Sequence, residues 1–230
     1  MVLINKEWNK VLDDIIEARH SIRKFRVEIP PTELVEQIIR AGLLAPHSGL
    51  AVSGNKFRRF IVISRDSQIT TEVGILMKRR IMILSEQLEE EMQHNSFKKT
   101  KGKGFARNLK VMSQQGVPSI GKAPYYIVVA EQKGIPRVEQ RSLAHCMENM
   151  WLKATALGLG FQLLSITAQM AEDKRFCSLI DIPCGEFALD GCLIGYPNMI
   201  PSPTKRPQVN EVTKWVPRAL QRKANNLPFQ

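Results

Sequence analysis

Residues 142–166, SLAHCMENMWLKATALGLGFQLLSI, carry two incompatible periodicities joined by glycine. Leu143, Met147, Met150, Trp151, Ala154 and Leu157 recur at helical spacing, and GLG at 158–160 stops that pattern as a glycine C-cap does. The run that follows, FQLLSI at 161–166, is apolar and short, the length of a buried strand. The stretch therefore predicts a long helix delivered directly into a strand.

The same reading extends outward. RFIVIS at 59–64, YYIVVA at 125–130 and FALDGCLIG at 187–195 predict further buried strands. TELVEQIIRAGLL at 32–44 places Leu34, Val35, Ile38, Ile39 and Leu43 on one helical face, with Thr32 at the N-cap and Pro46 beyond the end. Another helix is expected at 171–180, before DIPCG. Strands and helices alternate without a clean series of parallel crossover units, so the expectation is an α+β fold with helices on both faces of a mixed sheet. At 230 residues and 43% hydrophobic composition the chain can build one substantial core, and it reads as a single domain over 1–230.

Residues 66–116 stand apart as an insertion. Val73, Met77, Ile81, Leu84, Leu88 and Met92 mark the stripe of a long helix over 70–94. KKTKGKG then offers four lysines and two glycines without an acid, which predicts a solvated, mobile basic loop before FARNLKVM resumes a helical pattern. Helix, loop and helix together read as a lid. Phe97 and Phe105 beside these lysines give a nucleic-acid surface as the competing reading, but no nucleic-acid module surrounds them.

Lys+Arg 33 against Asp+Glu 22 gives a net charge of +11, suited to an anionic partner. The start MVLINKEWNKVLDDII lacks the layout of a secretory signal, and no apolar run approaches a membrane span, so a cytoplasmic protein is expected. Cys146, Cys177, Cys184 and Cys192 include no C-x-x-C pair and read as free thiols, Cys146 and Cys192 as packing residues. His145 reads as structural, and His47 as a solvated loop side chain with a site role as the alternative. No Walker loop, G-x-G-x-x-G after a strand or Ser/His/Asp order appears, so phosphoryl-transfer, Rossmann and hydrolytic readings lack support.

RHSIRKF at 19–25 gathers Arg19, His20, Arg23 and Lys24 around the hydroxyl of Ser21, and the Pro-rich PSPTKRPQVNEVTKW at 201–215 carries Lys205 and Arg206. Either could be a solvated basic face; together they could donate several charge-assisted hydrogen bonds to one phosphate. With AGLLAP, MWLKATALGLGFQLLSI, DIPCG, LIGYP and TKRPQVNEV in this order, the chain resembles the nitroreductase family over about 17–65 and 117–215. The insertion shows no such resemblance.

The resemblance implies a three-layer α/β/α sandwich with a mainly antiparallel sheet, and a homodimer holding flavin mononucleotide (FMN) at its interface. It implies that Arg19, His20, Ser21 and Arg23, with Lys205 and Arg206, bind the flavin phosphate and flank the ring. Gln162, Leu163, Leu164 and Ser165 would lie against the ring, offering main-chain donors. Pro46, His47 and Ser48 would approach from the neighbouring subunit. The activity implied is hydride acceptance from NADH or NADPH followed by ping-pong reduction of a nitroaromatic, quinone or similar electrophile, with no side chain assigned as catalytic. Related chemistry on the same scaffold includes dehalogenation and flavin cleavage. HSGLAVSGNKFRRF, with Lys56, Arg58 and Arg59, departs from the family's usual loop, where amide and aromatic residues are common.

Overall fold

The computed structural model describes residues 5–47 and 57–216. Its centre is set by two strands that are apolar on both faces, β2 (Tyr125–Gln132) and β4 (Phe187–Gly195), a pattern that demands cover on each side. With β1 (Arg58–Ser64) and β3 (Gly160–Leu163) they form, among the described residues, a four-stranded sheet in the order β1-β2-β4-β3. Every ladder is antiparallel, with Arg58 opposite Glu131, Val128 opposite Gly191 and Leu163 opposite Cys192. A parallel contact occurs as the isolated bridge between Ser21 and Phe161.

The alternation of side chains splits the core in two. Tyr126, Val128, Ala130, Phe187, Leu189 and Leu193 pack beneath α3 (Thr70–His94) and α7 (Lys174–Leu179). Tyr125, Ile127, Val129, Ala188, Cys192 and Ile194 pack beneath α2 (Thr32–Leu43) and α6 (Glu139–Ala156). The result is the expected three-layer α+β arrangement. Cys146 and Cys192 lie wholly inside this second core, and burial pushes the Cys146 thiol up to about 12.

Strand β3 is shorter than the apolar run FQLLSI suggests, because the chain is drawn off the edge and across the sheet. The Leu164 amide donates to the carbonyl of Gly191 at 2.7 Å, and residues Ser165–Met170 then turn as a 3-10 helix. This seats the Thr167 hydroxyl 2.8 Å from that of Tyr126 in the core. A Cβ at position 191 would stand 2.5 Å from Thr167 Oγ1, so only glycine lets this turn lie on the strand.

Other differences have local causes. Thr32 is the first helical residue rather than the cap; Pro31 takes the N-cap position without a side-chain bond. An unexpected helix, α1 (Lys6–Ala18), is capped by the Asn5 side chain, which accepts from the amides of Glu7 and Trp8 at 3.1 Å. The lysine run is not a loop: α4 (Ser96–Lys101) and α5 (Lys103–Gln115) span it, and α5 returns along α3. The missing acids come from α3, where Glu91 pairs with Lys98 at 2.6 Å and Glu89 with Lys110 at 3.5 Å. Such exposed pairs contribute at most about 1 kcal/mol each; Leu109, buried against the hairpin, shows that packing holds it too.

A buried ionic cluster ties α2 to the sheet. Glu131, on β2, has no solvent exposure and accepts from Arg58 Nε at 2.8 Å, and its other oxygen lies 2.9 Å from His47 Nδ1. Arg58 Nη1 donates to the carbonyls of Gly42 and Ala45 at 2.9 and 3.2 Å, adding a charged donor at the end of α2, where Gly42 O also accepts from the Ala45 amide. Arg58, a departure from the family's loop pattern, thus acts as a clamp.

Removing one member strands a buried charge, so Glu131→Ala is expected to lower the free energy of urea unfolding by about 3–5 kcal/mol. The joint replacement Arg58→Met with Glu131→Leu is expected to cost less than Glu131→Ala alone in the same measurement.

Candidate functional site

The outer edge of β3 presents backbone groups that no named strand pairs. Residues 19–26, arriving from α1, cover it. The Ile22 amide donates to the carbonyl of Phe161 at 3.0 Å, and Ser21 forms its bridge to the same residue. The segment continues past the end of β4: Arg26 N donates to Tyr196 O at 2.9 Å, Asn198 N donates to Lys24 O at 3.0 Å, and Phe25 bridges to Pro197. Ile22 is the apolar anchor and is buried. A Cβ on Gly160 would lie 2.7 Å from Ile22 Cγ2, so this glycine admits the segment. Its neighbour Gly158 ends α6 at φ +71°, in the left-handed region.

Arg19 is pinned before the segment begins. Its guanidinium lies 4.3 Å from the Trp151 ring and 3.3 Å from Glu148 Oε1, while Trp151 stacks on Phe161 at 5.0 Å and donates from Nε1 to the carbonyl of His20 at 3.2 Å. Arg19 therefore already has an aromatic and an acidic partner, and Arg23 does not. Arg23, Lys205 and Arg206 have exposed side chains that make no hydrogen bond or ion pair among the described residues. Lys205 and Arg206 follow Pro197 along the chain, in the stretch after the point where residues 24–26 are bonded to 196–198.

Gln162 adds a second unfilled demand. Its side-chain Oε1 is buried without a hydrogen-bond partner. Leu163 is exposed and Leu164 buried, and the Leu164 amide is already committed to Gly191, so it is not a free donor in this chain. Ser165 opens the 3-10 turn with its side chain exposed.

His47 is not a solvated loop residue: Glu131 holds its Nδ1, the ring packs 4.2 Å from that of Phe57, and Nε2 is buried without a partner. Pro46, whose carbonyl lies 3.5 Å from Arg58 Nη2, sits with it. The sheet order separates this corner from the Ser21–Gln162 edge: β1 and β3 are opposite edges, about 14 Å apart at ordinary strand spacing. Ser48, and the residues through Lys56, lie outside the described residues.

Sequence reasoning missed Glu131, Glu148 and the role of Trp151 at this site. The available signal for Glu131 was opposite charge at the ends of two apolar runs, Arg58 before RFIVIS and Glu131 after YYIVVA. Asp190 was equally overlooked. It sits on β4 just beyond the point where β3 departs, and burial pushes its carboxyl up to about 6 despite a 2.8 Å bond from the Gly191 amide.

A family model described as Nitroreductase family matches residues 16–196. Solved structures with the same fold include a nitroreductase with bound FMN from Desulfitobacterium hafniense, at 20% identity and TM-score 0.63, covering 90% of this chain and 98% of that one. A BluB-like flavoprotein from Clostridium difficile superposes at 21% identity and TM-score 0.64, covering 90% and 99%. Iodotyrosine deiodinase bound to FMN and 3-iodo-L-tyrosine does so at 20% identity and TM-score 0.63, covering 90% and 100%. No curated protein matches by sequence.

The Asp190 carboxyl yields a pH signature. An unfolded Asp titrates near 3.9, so between about pH 4 and 6 the folded state holds a proton that the unfolded state has lost, and stability falls as pH rises through that window. Above about pH 6 the charged carboxylate costs on the order of 3 kcal/mol. Asp190→Asn is therefore expected to be more stable than the parent at pH 7.5, with the difference in urea midpoint vanishing below about pH 4.

Proposed function

The chain belongs to the Nitroreductase family, and on that premise we propose that it is an FMN-dependent oxidoreductase whose two basic segments grip the cofactor phosphate. The observation that supports the reading is a buried acceptor without a donor on β3, next to the basic segment that pairs with that strand. Among the described residues, Arg23 on that segment and Lys205 and Arg206 further along the chain from Pro197 are exposed cations without hydrogen-bond or ion-pair partners, and Gln162 Oε1 is a buried acceptor without a donor. FMN offers a dianionic phosphate for the first and a ring N–H for the second. Arg19 stacked on Trp151 then orients the segment, and the Ser21 hydroxyl lies within it.

When bound, the flavin supplies hydride acceptance from NADH or NADPH and onward two-electron reduction of a small electrophile such as a nitroaromatic or quinone. The chain's own residues bind, orient and shield; none is assigned as a proton donor. FMN in the nitroreductase from Desulfitobacterium hafniense and in iodotyrosine deiodinase supports the choice of cofactor.

The functional unit is a homodimer. Pro46 and His47 lie at the sheet edge opposite the Ser21–Gln162 edge, so a second copy is required to bring them to one cofactor. Trp8, Val11, Leu12 and Ile16 on α1, and Val209, Val212 and Trp215 near the C-terminus, are exposed apolar side chains that such a partner would cover. The described residues include no helix long and apolar enough to cross a membrane, and a cytoplasmic setting is part of the proposal.

The purified protein is expected to be yellow, with FMN near one per chain, bleached anaerobically by NADH or NADPH and reoxidised by a nitroaromatic or quinone. Arg23→Ala and Arg206→Ala are each expected to raise the FMN dissociation constant about tenfold or more, the size of one lost charged hydrogen bond, in fluorescence titration. Unchanged affinity in both variants refutes the phosphate assignment.

A further inference from the structure

The turn between α7 and β4 brings together two thiols that the flavin reading does not use. Cys177, on α7, and Cys184, in the turn, both direct their sulfur to the carbonyl oxygen of Ala171, at 3.5 and 3.9 Å. The Gly185 amide donates to that same oxygen at 3.1 Å, and the Ile182 amide returns to the carbonyl of Cys177 at 3.1 Å. One acceptor thus fixes both sulfurs and the backbone beside them. Their exposure is complementary: Cys184 is at the surface and Cys177 is in the core. Burial, and next the neighbouring Cys184 thiol, push the Cys177 thiol up to about 12, which agrees with the sulfurs being immediate neighbours.

We propose that Cys177 and Cys184 form a redox-active dithiol that closes to an intramolecular disulfide on reaction with a hydroperoxide. The exposed Cys184 thiolate attacks the terminal peroxide oxygen; the O–O bond breaks, Cys184 becomes a sulfenic acid, and the alcohol, or water from hydrogen peroxide, leaves. Cys177 then attacks the Cys184 sulfur as it loses its proton. The S–O bond breaks, the S–S bond forms, and the oxygen departs as water. In total the two thiols surrender two electrons and two protons, and the peroxide is reduced to alcohol and water.

The geometry also orders the steps. An exposed sulfur meets the oxidant first, and a buried one resolves the product. Because the Cys177 thiol is hard to ionise, closure is the slow step and accelerates as pH rises. Cys146 and Cys192, fully buried on the other side of the sheet, are internal controls. The bond would tether the segment that follows the 3-10 turn Ser165–Met170 to the entry of β4.

The test uses the full chain, reduced, desalted and treated with hydrogen peroxide. Cleavage at Asp181, between the two cysteines, separates them for peptide mapping. The expected result is a Cys177–Cys184 linked peptide and an intact mass lower by roughly 2 Da, both reversed by dithiothreitol. Closure should quicken about tenfold from pH 7 to pH 8, and Cys146 and Cys192 should be alkylated only after denaturation. Cys177→Ser should accumulate a Cys184 sulfenic acid that dimedone captures, and Cys184→Ser should lose at least nine-tenths of the peroxide reaction. Cys184 oxidised to sulfinic acid while Cys177 stays a free thiol overturns the proposal, as does a linked peptide involving Cys146 or Cys192. The wild-type map decides the matter even if Cys177→Ser fails to fold. A colourless protein that still forms the link would refute only the flavin reading, and a yellow one that does not would refute only the dithiol.

Discussion

The outer edge of β3 is the constraint on which the site depends. A strand edge inside a folded protein must find partners for its amides and carbonyls, and here Ser21 and Ile22 meet Phe161 of β3 before residues 24–26 go on to pair with 196–198. Pairing fixes Ile22 inward, and because side chains alternate along an extended segment, Ser21 and Arg23 are kept out of the core. The positive charge of RHSIRKF is thus positioned by a backbone requirement rather than by an ion. Gly160 permits the approach, and the Arg19–Trp151–Phe161 stack fixes where it begins.

At the far edge of the sheet a different requirement operates. Glu131 is ionic chemistry in a place without water, tolerable because Arg58 and His47 meet both its oxygens and Arg58 also donates at the end of α2. Desolvation and attraction nearly cancel in such a cluster. Its contribution is therefore better seen in the direction it gives to residues 42–47 than in net stability.

Much of the fold was legible because its signals are local. FALDGCLIG is β4 from end to end, and the stripe from Val73 to Met92 is α3 from Thr70 to His94. Where the reading failed, the deciding partner was distant in sequence. FQLLSI is apolar enough for a longer strand, but Tyr126 draws Thr167 across the sheet. KKTKGKG lacks acids in its own run, yet Glu91 on α3 meets its Lys98, and Glu89 meets Lys110 just beyond it. At the site, the sequence singled out RHSIRKF and FQLLSI, which Ser21, Ile22 and Phe161 join in the fold, while Glu148 had no local mark and Glu131 only its charge at the end of an apolar run. The hydrophobic stripe of Trp8, Val11, Leu12 and Ile15 that forms α1 was present in the sequence and went unread.

The strand order carries a kinetic implication. β4, the last strand among the described residues, lies between β2 and β3 and pairs with each. During synthesis β1 and β2 can form a ladder, but the outer edge of β2 keeps its backbone N–H and C=O groups unpaired until residues 187–195 arrive, and β3 has no ladder at all before then. Sheet completion is consequently a late, long-range event, and the nascent intermediate is the species most exposed to aberrant association.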